Sequence, residues 1–280
     1  MMSPTIEDLS PFFDDPCWMC VLLARQANIG VILRRGPTQW WRVTLWNTKN
    51  DTFEGGQWFR GRIYPEKCDV SPNGKLFIYF AGQWRPRNVA KGYDRTWTAV
   101  SRPPYLTALT LWPEGSTWHG GGFFVDDTTL RINSMQDPTP THPDHPLGPL
   151  KQLDGKAYAI LTTSSEDREW PRANPANIRL SCSVQSRHDP SRGPYFYDFS
   201  RAASRNTYTI FPASGPQDPI ASFDAYWADL DQSGRLVATA GGRVLAGTIT
   251  DRNQLLWSEL ANLSDEKPIT MEAPDWAKHW

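Results

Sequence analysis

The chain has 280 residues, a formal net charge of −1, 39% hydrophobic and 21% charged residues, and a chain of this length buries about three quarters of its unfolded surface. Its 14 Trp and 12% aromatics exclude disorder of the whole chain, and the near-neutral charge disfavours a general polyanion binder. No apolar run approaches the roughly 20 residues that span a bilayer, so no membrane partner is expected.

Residues 1–24 hold Glu7, Asp8, Asp14 and Asp15 and no base, and no Lys or Arg precedes Arg25, which is unlike a secretory signal. The four cysteines, Cys17, Cys20, Cys68 and Cys182, are too scattered for a disulfide framework. They read as reduced thiols of a bacterial-type or other cytosol, and a cytoplasmic protein is the expectation. Runs of β-branched and aromatic residues broken by Gly, Pro or Asn then predict strands in groups. The first group is Cys17–Arg25, Gly30–Arg35 and Trp40–Trp46. Lys75–Ala81, Trp97–Ser101 and Leu106–Trp112 form a second, followed by Phe123–Val125 and Thr129–Ile132. Next come Tyr158–Thr162, Ile178–Val184, Tyr195–Phe199 and Tyr208–Phe211. The last group is Tyr226–Leu230, Leu236–Ala240, Val244–Ile249 and Leu255–Ser258. Leu255, Leu256, Leu260 and Leu263 also suit one short helix, and their spacing leaves both readings open. A Pro-rich stretch at residues 134–154 and a polar one at 166–177 read as surface insertions in a single domain spanning 1–280. Residues 262–280 read as an acidic C-terminal tail.

This is an all-β layout, and one ten-residue pattern recurs in it. Cys68-Asp69-Val70-Ser71-Pro72-Asn73-Gly74-Lys75-Leu76-Phe77 matches Ala228-Asp229-Leu230-Asp231-Gln232-Ser233-Gly234-Arg235-Leu236-Val237. Each reads as a strand, a polar turn closed by a Gly at positive φ, then a base and a second strand. The pattern resembles the strand–turn–strand opening of blades in WD-repeat and TolB-type β-propellers. The copies lie 160 residues apart, which is four periods of 40 or three of about 53. The resemblance implies five blades on the longer period and six on the shorter. Insertions that lengthen the middle repeats favour five. An antiparallel β-sandwich is the alternative.

Several residue clusters invite chemistry. Cys17-x-x-Cys20 leads into an apolar strand rather than a helix N-terminus and has no second Cys pair, so buried thiols are expected rather than a redox or zinc site. His142-Pro-Asp-His145 sits in a Pro-rich loop, where solvated histidines are expected, and His188-Asp189 has no defined partner. Asp126-Asp127 reads as a turn between strands, and Glu166-Asp167 is a further acid pair. Gly115-Ser-Thr-Trp118 carries the Gly-x-x-Trp ending of a sialidase Asp-box, but Leu111 and Pro113 replace its Ser and Asp. Neither a phosphate loop nor a nucleophile elbow is present. No cofactor, metal or catalytic residue is therefore expected.

A second duplication points to a contact surface. Gly56-Gln57-Trp58-Phe59-Arg60-Gly61-Arg62 and Gly82-Gln83-Trp84-Arg85-Pro86-Arg87 each give Gly-Gln-Trp followed by two Arg. Both lie in residues 56–102, where nine Lys and Arg face only Glu66, Asp69 and Asp94, and Lys91 and Arg95 lie close by. Trp and Arg dominate interface hot spots, and Arg pairs bidentately with carboxylates. The expectation is a non-enzymatic protein-binding or scaffold subunit that meets an acidic protein partner through Trp58, Arg60, Arg62, Trp84, Arg85 and Arg87. A nucleic-acid contact is disfavoured. The alternative is a carbohydrate-active hydrolase with carboxylates in the propeller channel.

Overall fold

The computed structural model describes residues 5–84, 93–134, 139–153, 178–183, 205–214 and 218–280, and among these every extended element is a strand and none an α-helix. Strands that follow one another in sequence pair with one another. The first sheet runs in the order β1 (Trp18–Leu23), β2 (Ile29–Arg35), β3 (Trp40–Asn47) and β4 (Thr52–Arg60). The second joins β5 (Arg62–Ile63), β7 (Phe77–Gly82), β8 (Thr96–Ser101) and β9 (Thr110–Pro113), with β6 (Asp69–Val70) also on β7. The third holds β10 (Gly122–Phe124), β11 (Thr129–Ile132) and β12 (Lys151–Gln152), the last parallel to β11. The fourth is β13 (Ile178–Ser183), β14 (Asn206–Pro212) and β15 (Ala221–Ala225). The fifth is β16 (Trp227–Leu230), β17 (Leu236–Ala240), β18 (Arg243–Ile249) and β19 (Leu255–Asn262). None of the five closes into a barrel.

Leu255–Asn262 is thus a strand, paired along β18 with a bulge at Val244/Leu245, and the helical spacing of its leucines is not used. The Pro-rich stretch contributes β12 and buries Leu150 and His142. The expected strands Tyr158–Thr162 and Tyr195–Phe199, and the polar stretch 166–177, lie outside the described residues.

The chain divides into two compact units, Met1–Cys20 with Arg172–Glu266, and Val21–Pro171 with Lys267–Trp280. In the first, Tyr208, Ile210, Leu236, Ala238, Leu245 and Trp257 form the core. Ile6 and Trp257 there exchange both backbone hydrogen bonds, at 2.9 and 2.8 Å, which adds the N-terminal segment to the outer edge of β19. In the second unit, Ile78, Val100, Trp112, Phe124 and Leu130 form a core between strands of the second and third sheets. Asp69 ties those sheets together, because its Oδ2 accepts from the Phe124 N–H at 2.8 Å and from Arg25 at 3.3 Å. Several of the final residues pack within this unit. Gln57 donates to the Met271 carbonyl at 3.0 Å, Tyr105 meets Trp276 edge to face, and Ala273 and Ala277 are buried.

The two matched turns have the same geometry. Gly74 and Gly234 have φ of +74° and +79°, and each N–H donates at 2.8 Å to the carbonyl three residues back, Ser71 and Asp231. Only Gly takes this conformation without steric cost. Asp231 is fully buried in the second turn and accepts from the N–H groups of Ser233 and Arg235 and from the Arg235 side chain.

Candidate functional site

The Gly-Gln-Trp duplication falls on two neighbouring strand ends. Trp58 and Arg60 lie on β4, and Gly61 leads into Arg62 on β5. Arg62 stands opposite Gly82 at the end of β7, and Gly82 stands opposite Thr96 at the start of β8. Gln83 then reaches back and donates to the Arg60 carbonyl at 2.7 Å. The two segments therefore meet at one end of the second sheet.

Their tryptophans differ. Trp84 is 53% exposed and lies over Gly82, where a Cβ would come within 2.7 Å of the ring. Trp58 is half-buried on the face of the first sheet, in register with Arg42, which in turn faces Arg34. The Arg34 and Arg42 guanidiniums lie 5.3 and 5.5 Å from the Trp58 ring centre, and Trp40 meets that ring edge to face. A cation over an aromatic face is worth about 0.5–2 kcal/mol, more as water is excluded. This makes Trp58 a structural member of a cross-strand row, while Trp84 is offered to solvent. Arg60 and Arg62 are exposed, and the Arg62 guanidinium lies 4.7 Å from the centre of the Tyr64 ring. Arg85, Arg87 and Lys91 lie outside the described residues.

The same end of the sheet carries residues that sequence reasoning did not single out for the surface. The Glu114 N–H donates to the Thr96 carbonyl at 3.0 Å, and the Thr96 hydroxyl donates to the Ser116 carbonyl at 2.6 Å. The loop after β9 is thereby fastened to Thr96 at the start of β8, and its Trp118 is 72% exposed. A large aromatic in a Gly-Ser-Thr setting between two strands was the available signal, since turn composition places a side chain on the surface. Exposed Arg95 joins the group, its carbonyl accepting from the Gln83 N–H at 2.8 Å. Exposed Trp84, Arg60, Arg62 and Arg95 thus lie about this sheet end, and the loop tied to Thr96 carries exposed Trp118.

Beneath it lie charged groups of unusual acidity. Lys67 ends the 3-10 turn Pro65–Lys67 and is fully buried. Desolvation lowers its pKa to about 8, opposed by the nearby charges of Glu66, Glu114 and Cys68. Glu114 is pushed up to about 7 by desolvation, against the hydrogen bond from Thr98 and the charge of Lys67. Desolvation also raises Glu66 and the buried Cys68 thiol.

The other candidates settle into structural roles. Cys17 and Cys20 are buried at the start of β1, Cys68 is buried, and Cys182 is exposed on β13. Asp126 caps the β10–β11 turn by accepting from the Thr128 and Thr129 N–H groups at 2.8 Å each, which holds its carboxyl down at about 2. The histidines of the Pro-rich stretch are not both solvated. His142 is 8% exposed and stacks on Tyr93 at 4.5 Å, and its Nδ1 accepts from the Asp144 N–H at 3.2 Å. Tyr93 Oη lies 3.3 Å from His145 Nε2, and burial pushes the His145 pKa down. Proline stiffness and an adjacent aromatic ring give this loop a packed position that polarity alone does not suggest. Among the described residues no three His, Cys, Asp or Glu side chains converge as a metal site. No described helix is long and apolar enough to cross a membrane. His188-Asp189 and Glu166-Asp167 lie outside the described residues.

No family model matches the chain, and none of the curated proteins matches it.

Proposed function

We propose that the chain is a non-enzymatic binding or scaffold subunit whose recognition surface is the Trp84/Trp118/Arg60/Arg62/Arg95 end of the second sheet. The observation that carries the reading is exposed Trp84, Arg62 and Arg95 gathered by the Arg62–Gly82–Thr96 register, with exposed Trp118 on the loop that Thr96 ties down. Flat aromatic area with adjacent Arg is the composition of a hot spot. Its partner is a protein presenting acidic side chains or a C-terminal carboxylate, which guanidinium groups bind bidentately. The architecture we infer is a five-bladed β-propeller. Five sheets of sequence-consecutive strands, two matching Gly-closed turns and the edge pairing of Ile6 with β19 support it.

The test is affinity capture from the native host with the wild-type chain and with an Arg60→Glu, Arg62→Glu double variant. A partner with an acidic contact segment should be captured by the wild type, lost from the variant, and released as salt screens the charges. Equal capture by both proteins places the contact elsewhere and overturns the reading.

A further inference from the structure

The backbone on either side of Trp118 is reached by a lysine that the surface itself does not display. Lys67 is 1% exposed, and its ammonium leaves the 3-10 turn to cross into the loop after β9. Nζ donates to the Thr117 and His119 carbonyls at 2.8 Å each and lies 3.5 Å from the Trp118 carbonyl. It also stands 4.7 Å from the centre of the Phe80 ring on β7. An ammonium has three N–H donors, and here they face three successive carbonyls of the segment that turns Trp118 outward. The flanks of that segment are held separately. Ser116 is bound by Thr96, and the Gly120 and Gly121 N–H groups donate to the Asn133 carbonyl and to Thr98 Oγ1 at 2.7 Å each.

We infer that Lys67 is a positioning residue for the recognition surface, fixing the backbone of Thr117–His119 and thereby the direction in which Trp118 meets a partner. The inference rests on the reading of this surface given above. Filling the same volume with an apolar side chain avoids the desolvation of a charge. A buried ammonium aimed at three carbonyls is what a loop needs when its backbone acceptors must be satisfied away from water. The groups that face it are Glu66, Cys68 and Tyr64 from its own segment, Glu114 after β9 with Asp94 beside it, and the Phe80 ring. Together they leave Lys67 titrating near pH 8, where its link to Trp118 is readable.

The experiment follows the Trp118 indole N–H resonance in the uniformly 15N-labelled full chain, assigned by its loss in Trp118→Phe. The resonance should shift with a midpoint near pH 8, well above the range of an ordinary imidazole. That titration should vanish in Lys67→Met and in Lys67→Arg. In Lys67→Met the 1H–15N NOE of the Trp118 indole should also fall toward that of a mobile segment. A Trp118 signal that keeps its NOE in folded Lys67→Met, or that shows no midpoint between pH 7 and 9 in the wild type, overturns the inference. Should Lys67→Met fail to fold, the wild-type titration and the Lys67→Arg protein decide it. All these readouts use the free protein. Their failure leaves the capture result for Arg60 and Arg62 standing, and failed capture leaves the coupling of Lys67 to Trp118 standing.

Discussion

At the scale of single residues, identical types at matched positions carry different duties, and mutation separates them. Gly74 and Gly234 share a positive φ, so Val at either should cost about 1 kcal/mol or more in a denaturant titration. Gly74→Val should be the worse of the two, because a Cβ there also meets the Ile29 side chain at 2.8 Å. Trp58 and Trp84 make the sharper pair. Trp58→Ala removes the ring that the Arg34 and Arg42 guanidiniums both approach and should cost about 2 kcal/mol. Trp84→Ala removes a ring resting on Gly82 in solvent and should shift stability by about 0.5 kcal/mol, while weakening partner capture. Equal destabilisation by the two substitutions would show that Trp84 is not a surface residue. The duplicated tripeptide is legible in the sequence. The different fates of its tryptophans are not, because they depend on Arg34 and Arg42 arriving from β2 and β3.

At the scale of elements, the Pro65–Lys67 turn and the loop after β9 place a buried Lys67 and a half-buried Glu114 close together, and pH reports on both. Glu114 titrates near 7 when folded against an ordinary 4.5, so the folded state holds the extra proton between those values. Its contribution to stability is therefore present below pH 4.5 and lost as pH rises toward 7. Lys67 titrates near 8 when folded against 10.5, so the unfolded state holds the extra proton in that interval. Stability from this group rises as pH climbs from 8 to 10.5. Subtracting the Glu114→Gln curve of urea midpoint against pH from the wild-type curve should isolate a falling limb below 7. Subtracting the Lys67→Met curve should isolate a rising limb above 8. A flat difference in either case would mean that the side chain is hydrated. Strand identity is largely legible at this scale, since β-branched and aromatic runs mark β2, β3, β8, β11, β17 and β18 in place. The β4 strand escapes because Glu54-Gly55-Gly56-Gln57 has the composition of a turn. Its glycines instead admit the Arg42 guanidinium and the Pro104 carbonyl, which lie where their Cβ atoms would stand. Only the partner strand and loop make that requirement visible.

At the scale of the whole molecule, a chain of net charge −1 concentrates exposed Arg60, Arg62 and Arg95 where the end of β4 meets one end of the second sheet. Capture through that end should weaken as ionic strength rises from 0.05 to about 0.5 M, because the Debye length then falls well below about 10 Å. Salt-insensitive capture would point to a wholly apolar contact. The all-β class and the grouping of strands are legible from composition and punctuation, whereas the pairing of Ile6 with Trp257 has no local signal. That pairing has a consequence during translation. Ile6 is made about 250 residues before Trp257, and at about 5–20 residues per second it waits roughly 12–50 s for its mate. Through that interval a strand edge is bare on the nascent chain, open to the wrong neighbour or to a chaperone. The β16–β19 sheet is thus completed by a segment synthesised ahead of all its own strands, and a chain cut short between β18 and β19 would leave Ile6 without its partner strand.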